Sequence, residues 1–165
     1  VVISMLVKER DSGNQSSPMM KTLSDLQSFD AAYKKGKAAS GSKAIKPLER
    51  AYKVDQRLGG SYANEIGSVL SDRLGIKAAE YYASGTYGSA AISARKALKY
   101  DRDHVNAAGV LKKCQQKAVG FYEQGMSALK SGNNGVARTF LNLAVDILPQ
   151  GDSKRAEAKK ALGSL

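Results

Sequence analysis

Three pairs of alanines, each pair seven residues apart, recur along this chain: Ala44 and Ala51, Ala90 and Ala97, Ala137 and Ala144. From one pair to the next the shift is 46, then 47 residues. Each pair sits in a wider signature. The clearest copy runs from Gly125 through Met126, Ser127, Ala128 and Leu129 to Gly132, then Ala137, Leu141, Ala144 and Pro149. A second copy has Ala78, Tyr81, Gly85, Tyr87, Ala90, Ala94 and Ala97. A weaker one has Ala32, Gly41, Ala44, Leu48 and Ala51. A period of this length marks a repeat architecture, and repeats serve as interaction scaffolds more often than as enzymes.

The punctuation between copies predicts helices. Alanine, lysine and leucine are abundant and β-branched runs are absent after residue 10, which favours an all-α chain. Ser17 and Pro18 read as an N-cap followed by proline at the first helical position, opening a helix with Leu23, Leu26, Phe29 and Tyr33 on its buried side. Its partner covers roughly 43–58, and Pro47 should delay its start or bend it. Gly59, Gly60 and Ser61 stop that helix and cap the next, which runs from Tyr62 to about Ser84. After Gly85 a return helix spans 89–100, and Asp103 caps a long helix reaching Ser131. Gly132 to Gly135 form a turn, 136–148 returns, and a last helix begins at Ser153 after Asp152. The expected architecture is three antiparallel hairpins and a trailing helix.

At these residues the chain resembles the tetratricopeptide repeat family. That family places a small residue where the first helix meets its partner, here Ala78 and Gly125, and a glycine near the turn, here Gly85 and Gly132. It places alanines seven apart on the second helix, as in all three copies, and a proline after it, here Pro149 alone. Small side chains let antiparallel helices approach to about 8–10 Å. Residues 119–149 match best and 72–102 less well. The first copy departs, with Lys35 at a bulky position and Pro47 inside the second helix, and the period exceeds the family's. The extra residues lengthen the first helices of copies two and three. The resemblance implies a right-handed α-solenoid over 18–165, whose first helices line a concave groove. It places Phe29, Tyr33, Lys37, Tyr82, Tyr122, Met126 and Lys130 in that groove. Aromatics flanked by lysines suit a protein or peptide partner with apolar anchors and acidic residues.

Charge bears on the same question. The formal net charge is +11, and the excess lies at both ends: residues 1–60 hold 11 Lys and Arg against 6 acids, and 102–165 hold 10 against 5. Such an excess is usually solvated surface, but it also attracts nucleic acid, anionic lipid or an acidic partner. Acids interrupt the basic runs and no aromatics interleave with them, which argues against a base-stacking platform.

The sequence offers no catalytic or metal-binding constellation, and the expectation is a non-enzyme without cofactor. Gly36 to Lys43 approaches a phosphate loop, but Ser42-Lys43 reverses the required order and no strand precedes it. His104 and Cys114 are the lone histidine and cysteine, ten residues or about 15 Å apart on a continuous helix. Cys114 shares a stripe with Leu111, Ala118, Phe121 and Gly125 and reads as a small core residue.

Residues 1–17 stand apart. Six of the first seven are apolar, and Asp11 to Ser17 have linker composition. The apolar stretch reads either as the end of a membrane helix whose upstream part is missing, or as a strand or tail packed on the domain. The functional expectation is a protein–protein interaction module, the soluble part of a larger or membrane-tethered protein in cytoplasm or periplasm. The alternative is a basic helical domain for nucleic acid or anionic membrane surface.

Overall fold

A computed structural model describes residues 2–13 and 15–165; Val1, in the apolar stretch, and Asn14, in the linker, lie outside the described residues. The described chain is all-α, with no strand. Helix α1 spans Val2–Asp11 and α2 Ser17–Ala38; a 3-10 turn at Gly41–Ala44 leads into α3, Ile45–Arg57. Then follow α4 (Ala63–Ala83), α5 (Tyr87–Tyr100), α6 (Val105–Lys130), α7 (Asn134–Ile147) and α8 (Ser153–Gly163). The chain forms two compact units, residues 1–73 and 74–165.

In the first unit α2 packs on α3 as a hairpin. Leu23, Ala32, Ala44, Ile45, Leu48, Ala51 and Val54 are buried, as are Ile66 and Leu70 of α4. Pro47 is the third residue of α3. There its missing N–H removes no helical bond, because the first-turn donors have no partner in the helix. The helix therefore starts late, after the 3-10 turn, as Pro47 predicts. Helix α2 begins one residue earlier than expected: Ser16 is the N-cap, and Pro18 falls within the first two helical positions.

The turn into α4 corrects a second cap. Ser61 is not the residue before the helix; Tyr62 is, and its N–H donates to both carboxylate oxygens of Asp55, at 3.1 and 3.2 Å. Asp55 is 3% exposed, and its backbone carbonyl also accepts from Gly60 at 2.8 Å. Gly59 and Gly60 take φ of +104° and +75°, which lets the chain turn tightly enough for this acid on α3 to reach the next helix. A buried carboxylate from the preceding helix replaces the expected hydroxyl cap.

Helix α1 corrects the reading of 1–7 as a strand: the described residues are helical; none of α1 is buried, Val2 and Met5 are well exposed, and α1 touches α2. Among the described residues no helix is long and apolar enough to cross a membrane.

The second unit is built from α5 to α8 and the end of α4. One core cluster joins Ala90, Ala91, Cys114, Ala118, Ala144, Ile147 and Leu148. Another joins Ala137, Leu141, Ala158 and Ala161. Two of its caps bear on the sequence expectations, one as expected and one corrected. Asp152 caps α8 through Lys154 and Arg155 N–H groups, as read from sequence. Asp103 does not cap α6. His104 does, its Nδ1 accepting from Ala107 N–H at 3.1 Å, while the Asp103 N–H donates to Asp101 Oδ1. The carboxylate of Asp101 already closes the turn, so the cap falls one residue later. Arginines tie off the end of α7: Arg95 donates to the carbonyls of Asp146 and Ile147, and Arg155 to that of Val145 at 2.9 Å. Guanidinium groups there satisfy last-turn acceptors and oppose the negative end of the helix dipole. Burial, with Arg155 nearby, holds the Arg95 pKa below its ordinary value.

Candidate functional site

The candidate surface is positioned by the joints at which paired helices touch. A Cβ added to Gly36 would stand 2.6 Å from Leu48 Cγ and 3.2 Å from its backbone nitrogen. A Cβ added to Gly125 would stand 2.7 Å from Leu141 Cγ and 3.1 Å from its backbone nitrogen. Both joints are thus one glycine on the first helix receiving one leucine of the second. Buried alanines bracket each leucine in the same register, Ala44 and Ala51 around Leu48, Ala137 and Ala144 around Leu141. The spacing also assigns Ala94 to the leucine position and Ala78 to the glycine position of the middle copy, both fully buried.

This geometry corrects the alignment of the first copy. The counterpart of Gly125 is Gly36, which has the Leu48 contact, and not Ala32 one turn earlier. The shift from Gly36 to Ala78 is 42 residues, chiefly because α2 stops two residues past Gly36 while α4 continues five past Ala78. The shared Tyr-x-x-Gly of Tyr33-Gly36 and Tyr122-Gly125 was the available signal.

Three of the seven expected groove residues come together in the first unit. Phe29 and Tyr33 stack with centroids 5.5 Å apart, and Tyr62 lies 5.3 Å from Phe29 and 6.0 Å from Tyr33. The Tyr33 hydroxyl donates to Glu65 Oε1 on α4. Lys37 Nζ stands 3.4 Å from both Glu65 Oε1 and the Tyr33 hydroxyl, and 5.1 Å from the Tyr33 ring centroid. Tyr33, then Lys37, holds the Glu65 carboxyl below its ordinary value. The Glu65 bond pushes the phenol up, and the lysine rises chiefly through Tyr33. These groups form a pre-ordered polar and aromatic surface in which Phe29 and Tyr33 are half-buried and Lys37, Tyr62 and Glu65 exposed.

In the second unit Tyr122, three residues before Gly125, donates its hydroxyl to Glu157 of α8, and that bond raises its pKa. Met126 packs against the Ala137–Leu141–Ala158 cluster. Tyr82 meets Tyr87 edge-on at 5.3 Å, packs against the Cys114 cluster, and has Lys113 Nζ 6.0 Å from its ring centroid. Lys130 is exposed at the last position of α6. In the copy between, Gly75 occupies the place of Tyr33 and Tyr122, and His104 fills the space: a Cβ on Gly75 would stand 2.7 Å from the imidazole Cε1.

Sequence reasoning missed Tyr62, Glu65, Glu157 and Asp55. Their partners sit on neighbouring helices, at separations no local spacing announces. Cys114 is fully buried and burial pushes its thiol pKa up. Among the described residues no cluster of three or more His, Cys, Asp or Glu could hold a metal ion. No protein-family model, curated protein or solved structure matches the chain.

Proposed function

We propose that this chain is a non-catalytic protein–protein interaction scaffold, a tetratricopeptide-like right-handed solenoid of about three hairpins and a closing helix. In such a stack the first helices line a concave groove that receives a partner segment. The observation carrying this reading is the repeated glycine–leucine joint, Gly36 with Leu48 and Gly125 with Leu141, between alanines seven apart. Two hairpins built on one joint are the expected product of a repeat whose purpose is a continuous surface. The cluster of Phe29, Tyr33, Tyr62, Glu65 and Lys37 supports a peptide site with an aromatic anchor and a polar rim. On this reading the chain is the soluble part of a larger or membrane-tethered protein.

The test uses photoreactive residues in place of exposed Lys37 and Lys130, with Lys159 on α8 as control. The scaffold reading expects one protein captured from both groove positions and not from Lys159. That protein, purified, should then bind with a saturable isotherm. Submicromolar binding of duplex or single-stranded nucleic acid at about 150 mM salt, where screening removes weak non-specific attraction, would replace the scaffold by the basic-domain reading.

A further inference from the structure

Helices α2 and α3 enclose a cleft of about 470 Å³ on a different stripe of α2 from Phe29, Tyr33 and Lys37. Its floor is apolar, made by Ala31, Ala32 and Pro47. Its rim carries four cations: Lys35 on α2, Lys43 in the 3-10 turn, and Lys46 and Arg50 on α3. No carboxylate lines it.

Acids of the unit engage other cations: Asp25 with Arg57, Asp30 with Lys34, Glu65 with Lys37. Among the described residues Lys35, Lys43, Lys46 and Arg50 have no ion-pair partner. Arg50 instead donates to Ser28 Oγ at 2.9 Å, which braces its guanidinium across the cleft. Four like charges around one concavity raise a positive potential that low-dielectric walls focus.

We propose that this cleft binds an extended acidic segment of a partner protein, with carboxylates at alternate residues. Lys43, Lys46 and Arg50 rise roughly 11 Å along the 3-10 turn and α3. An extended chain covers that distance in about three to four residues, close to the four that separate the first and third of three carboxylates spaced by two, so these meet successive cations. The alanine and proline floor receives the methylene stems between them. A nucleic-acid strand would leave that floor uncovered and finds no aromatic ring in the lining on which to stack a base. A bilayer is flat, whereas these cations surround a concavity between two helices. The site is independent of the groove reading.

The test is fluorescence anisotropy of the full chain with a labelled peptide of alternating serine and glutamate at about 150 mM salt. Saturable binding is expected. The Lys43→Glu/Lys46→Glu variant should weaken it at least about tenfold, as charge reversal at a recognition site does. A control, Lys112→Glu/Lys117→Glu on α6, should stay within about twofold. Circular dichroism should show equal helicity in all three chains, since the altered lysines are exposed. Absence of saturation, or equal loss in the control, overturns the proposal. So does tighter binding of phosphatidylserine vesicles or a single-stranded oligonucleotide through Lys43 and Lys46. Photocapture at Lys37 and Lys130 is unaffected by this result, so the scaffold and the cleft fail separately.

Discussion

Hairpin α2–α3 and hairpin α6–α7 share a joint and differ in nearly everything around it. Both insert a leucine against a glycine, and both place a tyrosine three residues earlier that donates to a glutamate on a following helix. Beyond that, the residue after the glycine is exposed Lys37 in one and Met126, packed on a core cluster, in the other. The first hairpin is closed by a 3-10 turn and followed by the buried Asp55 cap. The second has its helix end tied by Arg95 and Arg155. The comparison separates what makes a hairpin from what distinguishes it. Backbone approach makes it, and the lateral partners individualise it.

The largest expected effect attacks the shared part. Leu48→Ala and Leu141→Ala each empty a joint, and a fully buried leucine truncated in a tight site costs about 2–5 kcal/mol. Similar losses in both, by denaturant unfolding followed separately in each unit, keep the comparison. A negligible loss in one breaks it.

Next come the alanines. Ala137→Leu and Ala90→Leu add volume at fully buried positions, and overpacking costs roughly 1–3 kcal/mol. An unchanged melting temperature would show that these alanines do not mark a common register.

A smaller effect probes a feature of the first hairpin alone. Asp55→Ala leaves the Tyr62 N–H without its acceptor, a cap loss of typically about 1 kcal/mol. Faster amide exchange at the start of α4, with α8 unchanged, would locate that loss.

The subtlest probe is pH. Glu65 is depressed by its Tyr33 bond, so its contribution is fully present above the ordinary value of 4.5 and lost as pH falls through the lower folded value. Tyr33→Phe should move the Glu65 midpoint back toward 4.5, read by NMR titration, and shrink that acid-side loss. No movement would mean that Lys37 alone holds the carboxylate.

The part of this fold legible in the sequence was the part written locally. Alanines seven apart and positive-φ glycines at 85 and 132 announced second helices and turns because a helix face and a left-handed residue are short-range properties. Gly36 escaped because a constant shift was assumed across a shorter turn, and only contact with Leu48 distinguishes it from Ala32. His104 escaped as a cap because Asp103 beside it is an equally good local candidate, and the Asp101 turn decides between them. Arg95 escaped because the carbonyls it meets are 51 and 52 residues away. Of the candidate surface, Phe29, Tyr33 and Lys37 were legible as one stripe of one helix. Tyr62 and Glu65, which complete it, required the tertiary fold.

The joint itself is the central claim, and a double-mutant cycle on Gly125 and Leu141 tests it most directly. Gly125→Ala alone should destabilise despite alanine's better helix propensity, because its Cβ meets a leucine side chain and backbone. In Leu141→Ala the contact with the leucine side chain is gone, and that Cβ is accommodated at less cost. The account predicts a favourable coupling of about 1 kcal/mol or more, within the range for residues in contact. Strictly additive effects would contradict it.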